Sequence, residues 1–184
     1  MEWLVVAQRM VRSAGAEPQL ACALAEALPL PEDSMSAVTV LDVIEHVADQ
    51  PALVREVDRV LRPGGVVALA TPNRFSLTAE PHVGVWGVGW VPTRLQERYV
   101  RLRTGKPYGL VRLLSRGELV RLFQRHSDIV VQVEPATVPD HELGNFSSRR
   151  AVLARLYNRL ASRRFSAQLV FPISPFFHLI GRRR

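Results

Sequence analysis

Apolar positions recur along this chain in two different spacings, and the two spacings alternate. Residues 37–41 and 66–70 are short apolar runs, the pattern that is typical of buried strands. Between them, residues 50–61 place apolar side chains every three or four positions, which predicts an amphipathic helix. Strand, helix and strand form a βαβ unit, so we expect an α/β fold with a parallel sheet and a right-handed crossover. Because residues 37–41 are apolar on both faces, we expect a central strand that is covered on both sides.

The rest of the chain extends this alternation and interrupts it once. We predict helices at 2–14, 115–126 and 148–163 and strands at 19–24, 129–134 and 176–181. Ser115 and Glu118 have the spacing of a capping box at the start of a helix. Residues 74–112 are rich in glycine, proline and aromatic side chains. We therefore interpret them as an inserted lid within a single domain that spans residues 1–184.

Length and composition exclude several classes of protein. A chain of 184 residues, of which 47% are hydrophobic and 22% charged, suits one globular domain with one core. The single cysteine, Cys22, excludes an internal disulfide. The apolar stretch 165–181 contains Pro172, Pro175 and His178, so it does not predict a membrane-spanning helix. We see no secretory signal and expect a cytoplasmic protein.

Positive charge is concentrated in the last quarter of the chain. The formal net charge is +7, and Lys106 is the only lysine. The late arginines are Arg149, Arg150, Arg155, Arg159, Arg163, Arg164 and Arg182–Arg184. They indicate either a solvated helix face with a basic tail or a surface that binds nucleic acid or an anionic membrane. Because no DNA- or RNA-binding motif accompanies them, we expect no DNA partner and do not favour RNA, and peripheral membrane contact stays open.

Four short motifs follow one another in the first half of the chain: ALPLPEDS (27–34), TVLDVIEHV (39–47), LRPGG (61–65) and ATPNR (70–74). In this order they resemble the second half of a class I S-adenosylmethionine (SAM)-dependent methyltransferase domain, of the type 11 group that includes ubiquinone-type O-methyltransferases. The resemblance implies a Rossmann-like sheet with ligands at the carboxyl ends of its strands. It also implies SAM as cofactor and methylation, at oxygen, of a small aromatic, quinone-like or lipid-like acceptor.

The resemblance further implies which residues line the site. On the cofactor side, it places Leu41, Asp42 and Val43 along the methionine part of SAM, with Leu24 and Ala25 near its adenine. The acceptor-side residues are Thr71, Asn73, His82, Trp86 and Tyr99, accompanied by Glu80 and Trp90. An apolar lining with a few polar groups is typical of such pockets. The alternatives are a plain turn at 71–73 and tryptophans that only pack the lid.

Asp42, Glu45 and His46 have the spacing D-x-x-E-H, which brings their side chains to one face of a helical turn. Two carboxylates and an imidazole can hold a divalent metal such as Mg²⁺. An E-x-x-E-H pattern serves this way in some methyltransferases that the segment resembles. Alternatively, His46, together with Glu45, acts as the general base that takes the proton of the acceptor hydroxyl. In the third interpretation these side chains only cap and brace the entry to the helix.

Two features of the resembled family have no counterpart in this sequence: the glycine-rich SAM loop and the acidic residue that holds the ribose. We therefore expect a sheet that is incomplete at the N-terminus, with the strand at 37–41 exposed along one edge. A second copy, a partner chain or a longer protein would complete it. Two alternative functions follow: a non-catalytic interaction module that keeps the truncated fold, and an RNA methyltransferase.

Overall fold

Parallel and antiparallel strands together form one mixed sheet. The computed structural model describes residues 2–109, 111–144, 146–162, 168 and 170–184. The strands are β1 (Met35–Leu41), β2 (Leu61–Pro72), β3 (Ile129–Pro135) and β4 (Phe176–Arg183), in the spatial order β1-β2-β4-β3. Strands β1 and β2 are parallel, and β4 is antiparallel to both of its neighbours. The α/β class is confirmed, but the expected parallel sheet is correct only for β1 and β2, because β4 lies between β2 and β3.

The helices are α1 (Glu2–Ser13), α2 (Gln50–Val60), α3 (Thr93–Thr104), α4 (Arg116–His126), α5 (Asp140–Leu143) and α6 (Ser148–Ala161). At the start of α2, the Asp49 side chain accepts a hydrogen bond from the Ala52 N–H at 2.9 Å, and Pro51 occupies the first turn. The predicted capping box of α4 is confirmed, because Ser115 and Glu118 each accept from the other's backbone N–H. These caps fix the starts of the two helices that pack on the sheet.

The hydrophobic core lies between one face of the sheet and helices α2 and α4. Its side chains are at most 2% exposed and come from all of these elements: Leu53, Val54, Val57, Val67, Leu69, Leu119, Phe123, Phe177 and Leu179. Full burial of one such side chain stabilises the fold by roughly 1.5–3 kcal/mol. This packing is the rigid frame that holds the carboxyl ends of β1 and β2.

Strand β1 differs from its prediction as a central, covered strand. It pairs with β2 on one side, and no strand pairs with its other edge in the described part of the chain. Of its seven residues only Val40 is buried. The predicted two-sided cover was wrong, because an apolar run shows what a strand can bury and not whether neighbours are present. The exposed edge agrees with the sequence expectation.

The predicted strand at residues 19–24 is also wrong. These residues are exposed, and they lead into a turn in which the Ala27 N–H donates to the Leu24 carbonyl at 3.0 Å. A strand needs a neighbouring strand to satisfy its backbone, and this short apolar run has none beside it within the described residues. Leu24 and Ala25 therefore approach the sheet from a turn and not from a third strand.

Residues 74–112 contain more regular structure than predicted. Helix α3 lies within them, and they form a small core of their own from Val85, Val88, Val100 and Tyr108. The sequence of α3, TRLQERYVRLRT, has little apolar periodicity, because the helix buries only Gln96 and Val100. A separate small core fits the interpretation of this segment as a lid, which stays a prediction.

The late arginines do not all belong to a free basic surface. The Arg183 guanidinium donates to the Leu61 carbonyl and to the Asp33 carboxylate, and its Nε lies 3.7 Å from an Asp58 oxygen. Arg183 therefore ties the end of β4 to the start of β2, so the interpretation of this residue as part of a basic tail was wrong. Arg163 and Arg164 lie outside the described residues.

Candidate functional site

The carboxyl ends of β1 and β2 bring the predicted acceptor-side and metal residues together. After β1 the backbone of Asp42 adopts a left-handed conformation (φ 50°), and its N–H donates to the Ala70 carbonyl of β2 at 3.0 Å. A short 3-10 turn, Ile44–His46, follows at once. This close joint between the two strands directs Glu45 towards Thr71, near the end of β2.

Glu45 is the central carboxylate of the site and is only 1% exposed. Its Oε2 accepts a hydrogen bond from the Thr71 hydroxyl at 3.0 Å, and Thr71 is itself completely buried. Its Oε1 is buried and has no hydrogen-bond partner in the described part of the chain. A buried acceptor without a partner costs about 1–3 kcal/mol. The unpaired oxygen therefore indicates a place for a proton or a cation.

Two imidazoles complete the group around Glu45. The rings of His46 and His82 meet edge to face with centroids 4.6 Å apart. One carboxylate oxygen of Glu45 and one nitrogen of each histidine all lie within 4.8 Å of one another. His82 reaches this position from a hairpin in the lid, where Ala79 pairs with Trp86. The group thus joins the exit of β1 to the lid.

Glu80 fixes the orientation of His82. The Glu80 side chain is buried; its Oε1 contacts His82 Nδ1, and its Oε2 accepts from the backbone N–H groups of His82 and Val83 at 2.9 Å. A carboxylate that holds one ring nitrogen leaves the other, here Nε2, for a ligand or a proton. Glu80 was predicted to lie on the acceptor side; its contacts make it a positioning residue for His82.

Tyr108 is a second buried group near this hairpin that the sequence did not single out for the site. Its hydroxyl has no hydrogen-bond partner within the described residues. Burial, followed by the charge of Glu80, raises the pKa of the Tyr108 phenol well above its usual value. The phenol therefore stays neutral and serves as the polar edge of the lid core beside Glu80.

Three of the predicted cofactor residues, Leu41, Asp42 and Val43, follow one another at the exit of β1, and all three are exposed. Leu41 is 60% exposed and Leu24 is 72% exposed, while Val43 is 37% exposed. Ala25 packs against the main core. Asp42 is exposed and is not a member of the group formed by Glu45 and the two histidines. The roles of these five residues in SAM binding stay predictions.

The remaining acceptor-side residues fall into two places. Asn73 is buried, and its amide donates to the carbonyls of Pro172 and Ser174, both at 2.9 Å. Trp86 is half-exposed in the lid, and its carbonyl accepts a hydrogen bond from the Tyr99 hydroxyl at 2.8 Å. The structure therefore brings Thr71 and His82 to Glu45, makes Asn73 a structural anchor, and leaves Trp86 and Tyr99 at the lid surface.

The fold and the site place the chain among Rossmann-like α/β proteins, which bind ligands at the carboxyl ends of their strands. Residues 2–69 match a family model described as a methyltransferase domain. Over these residues the chain is similar to the methyltransferase domain of class I SAM-dependent enzymes.

Two relatives are each similar to part of the chain. One is a probable S-adenosylmethionine-dependent methyltransferase of Mycolicibacterium smegmatis, 53% identical over 51 residues, which are 28% of this chain and 20% of the relative. Another is a ubiquinone biosynthesis O-methyltransferase of Parvibaculum lavamentivorans, 35% identical over 77 residues, or 39% of this chain and 29% of the relative. The chain thus spans less than a third of the length of either protein.

Solved structures share the fold over nearly the whole chain. An S-adenosylmethionine-dependent methyltransferase of Mesorhizobium loti has a TM-score of 0.57 at 21% identity, covering 95% of this chain and 75% of its own. The (4+2)-cyclase SpnF has a TM-score of 0.56 at 13% identity, covering 97% of this chain and 61% of its own. Because a cyclase shares it, the fold alone does not determine the reaction.

Within the described residues, no helix combines the length and the apolar character that crossing a membrane requires.

Proposed function

We propose that this chain acts in SAM-dependent methyl transfer to a hydroxyl group of a small molecule, with an aromatic, quinone-like or lipid-like acceptor. The observation that carries the proposal is the convergence of Glu45, His46 and His82 within 4.8 Å at the carboxyl ends of β1 and β2. The partial match to a ubiquinone biosynthesis O-methyltransferase supports the acceptor class.

The residues of the chain supply a proton acceptor and alignment. SAM, when bound, supplies an electrophilic methyl group on a sulfonium. The imidazole of His46 or His82 would accept the proton of the acceptor hydroxyl, whose oxygen would take the methyl group that bound SAM supplies. Glu80 keeps Nε2 of His82 available for that proton. Glu45 and Thr71 hold the turn that carries His46 in place.

A divalent metal is a second use of the same group. The residues fit one, because the buried Oε1 of Glu45 lacks a partner and two imidazoles lie beside it. Glu45, His46 and His82 would hold the ion, and Asp42 of the predicted set lies outside the group. A donor set of two imidazoles and one carboxylate suits Mn²⁺, Fe²⁺ or Zn²⁺ better than Mg²⁺, which prefers oxygen ligands. Such an ion would lower the pKa of a bound hydroxyl.

The lid supplies the apolar part of the proposed acceptor site. Trp86 and Trp90 are each more than half exposed, and their indole N–H groups are held by the backbone carbonyls of Leu77 and Ser76. Rings fixed in this way present apolar area without losing further freedom on binding. Tyr99 steadies Trp86 from α3. We assign these rings to the cover of the acceptor.

The proposed cofactor site is only partly present. Leu41, Asp42 and Val43 form one wall at the exit of β1, and Leu24 and Ala25 lie in the preceding segment. No glycine-rich turn lies beside them in the described part of the chain. We therefore propose that SAM binding uses this wall together with a surface beyond the open edge of β1.

The open edge of β1 favours a second candidate function, a non-catalytic interaction module. An unpaired apolar strand edge is a template for pairing with another chain. This candidate predicts a stable complex and no SAM binding, whereas the methyltransferase proposal predicts both SAM binding and turnover.

Titration calorimetry with SAM, followed by labelled methyl transfer from SAM to a catechol probe, distinguishes these candidates. We expect SAM binding and a methylated product, with transfer reduced at least about 100-fold in Glu45→Gln and His82→Asn, since a positioned acid or base contributes this much. His178→Asn, at an exposed histidine of β4, is the matched control and should retain activity. A folded chain that neither binds SAM nor methylates the probe contradicts the proposal.

A further inference from the structure

A second concave site lies behind the candidate site, between α4, the start of α2 and the lid. It is a cleft of about 470 Å³, the size of a small-ligand pocket. Four arginines line it: Arg74, Arg112, Arg121 and Arg125. The methyltransferase chemistry proposed above uses none of them.

The charge in this cleft is not compensated by the protein. Glu118 is the only carboxylate of the lining; its Oε1 pairs with Arg74 at 2.9 Å, and its Oε2 accepts from Ser115. Arg112, Arg121 and Arg125 are exposed and form no ion pair with any described residue. Three positive charges therefore face the same cleft without a counter-charge.

Two of these arginines repel each other along one helix. Arg121 and Arg125 are separated by one turn of α4, and like charges at this spacing destabilise a helix. Arg112 adds a third charge from the opposite wall of the cleft. An arrangement that costs stability in the free protein gains stability when an anion binds, because guanidinium groups pair bidentately with oxyanions.

The start of α3 adds to the same potential. Thr93 and Gln96, in the first turn of α3, line the cleft, and the preceding Pro92 makes no side-chain cap. The N–H groups of an uncapped first turn carry partial positive charge and favour anions. This helix start supports the arginine cluster and faces the same volume.

We propose that this cleft binds the phosphate groups of a small phosphate-bearing ligand. Its volume suits a diphosphate or a nucleotide-sized group, and the three unpaired arginines supply the donors that such a group needs. A polynucleotide would instead need an extended groove with aromatic stacking platforms. Among the described residues, no phenylalanine, tyrosine or tryptophan lines this cleft, and His126 is its one aromatic ring.

Hydrogen bonds connect the cleft to the candidate site, so a ligand in the cleft should affect the turn Ile44–His46. The Arg112 N–H donates to the Glu45 carbonyl at 2.8 Å. The buried Gln50 amide donates to the carbonyls of Ile44 and Arg112, both at 2.9 Å. A ligand that orders Arg112 therefore slows hydrogen exchange in the turn Ile44–His46.

Titration calorimetry with inorganic pyrophosphate at low ionic strength tests the proposal on the 184-residue chain. We expect the double variant Arg121→Gln/Arg125→Gln to bind pyrophosphate at least about tenfold more weakly than the wild type, since charge-assisted bonds are among the strong ones. The matched control Arg149→Gln/Arg150→Gln removes the same charge from the exposed face of α6 and should change the affinity less than about twofold.

Thermal unfolding without ligand separates binding from folding. Because substitution removes a like-charge pair, the Arg121→Gln/Arg125→Gln variant should unfold at the same or a slightly higher temperature than the wild type. A lower unfolding temperature would show that the arginines stabilise the fold and would overturn the proposal. Equal weakening by both double variants, or binding of a single-stranded oligonucleotide without binding of pyrophosphate, would also overturn it. Tighter binding of ADP than of pyrophosphate would identify a nucleotide as the source of the phosphate.

Discussion

The two sides of the sheet's carboxyl edge differ sharply in how much of them the chain covers. On the acceptor side, Thr71 and Glu45 are buried and the Thr71 hydroxyl donates to Glu45; the buried Glu80 accepts from the His82 N–H. On the cofactor side, Leu41 and Leu24 are mostly exposed. The difference fits the proposal that this chain builds the acceptor part of a methyltransferase site and leaves the proposed SAM part open.

The physical origin of the difference is the sheet itself. Strand β2 has neighbours on both sides, and the lid folds over its end, so Thr71 and Asn73 are enclosed. Strand β1 has one neighbour, and Leu41 at its carboxyl end remains exposed. An unpaired strand edge of this kind is a template for pairing with another chain.

The largest expected effect is on the free energy of unfolding, when the acceptor side is disrupted. Asn73→Ala removes the donors to the Pro172 and Ser174 carbonyls and the acceptor of the Phe75 N–H. Leaving these buried groups unpaired should lower the free energy of unfolding by about 3 kcal/mol. Urea denaturation measures it, with Gln132→Ala on the surface of β3 as control. A loss below about 1 kcal/mol would mean that the hydrogen bonds of Asn73 do not stabilise the end of β2.

The next largest effect is on metal affinity, when Glu80 no longer orients the His82 imidazole. Glu80→Gln keeps the shape of the side chain but loses the charge that holds His82 Nδ1. Affinity for Mn²⁺ should fall about 10–100-fold, the usual effect of removing a carboxylate behind a ligating histidine. Competition with a fluorescent chelator measures this affinity, and Glu134→Gln on β3 is the matched control. Unchanged affinity would remove His82 from the metal site.

A smaller effect on the free energy of unfolding is expected where the acceptor side meets α4. Ser115→Ala removes the cap of α4 and should cost about 1 kcal/mol of unfolding free energy. Thermal unfolding checks this, and Ser115→Thr should recover most of the loss. If the alanine variant is as stable as the wild type, the capping box does not stabilise this junction.

The same junction predicts a pH dependence. Although burial opposes it, hydrogen bonds from Ser115 and the charge of Arg74 hold the pKa of Glu118 below its usual value. A lowered folded-state pKa contributes stability above the unfolded value of about 4.3 and loses it as the pH falls through the folded value. Glu118→Gln should therefore be less stable than the wild type near neutral pH, and the two should converge on acidification. Parallel stability curves from pH 7 to pH 3 would contradict this assignment.

The smallest effect on the free energy of unfolding is expected on the cofactor side. Leu41→Ala and Leu24→Ala should each change the free energy of unfolding by less than about 0.5 kcal/mol, because both side chains already face solvent. The measurement is urea denaturation of the isolated chain. A cost above about 1 kcal/mol would show that the cofactor side is covered in solution.

Strong local patterns were predictable from the sequence, whereas long-range arrangements were not. The boundaries of α2 and the capping box of α4 followed from the Asp49 cap and the Ser115–Glu118 spacing. The apolar run at 37–41 could not reveal that β1 is an edge strand, because burial depends on neighbours. Helix α3 was not predicted because it buries only Gln96 and Val100, so its sequence shows little apolar periodicity.

The candidate site was predictable to the same extent. The D-x-x-E-H spacing identified Glu45 and His46, which are adjacent in the chain. It also suggested Asp42, which is exposed and is not a member of the group. His82 joins them through a lid hairpin, and no local spacing encodes that contact. The sequence signal that could have pointed to His82 was Glu80, a carboxylate two residues before it.

The most direct test of this account is the stoichiometry of Mn²⁺ binding, measured by electron paramagnetic resonance on the wild type and on Glu45→Gln. We predict one Mn²⁺ per chain in the wild type, and its loss in the variant, since the unpaired Oε1 is the oxygen that the ion needs. Glu32→Gln, at an exposed carboxylate, should bind as the wild type does. A wild type that binds no Mn²⁺, or a Glu45→Gln variant that binds it equally well, would contradict the proposed metal site at Glu45, His46 and His82.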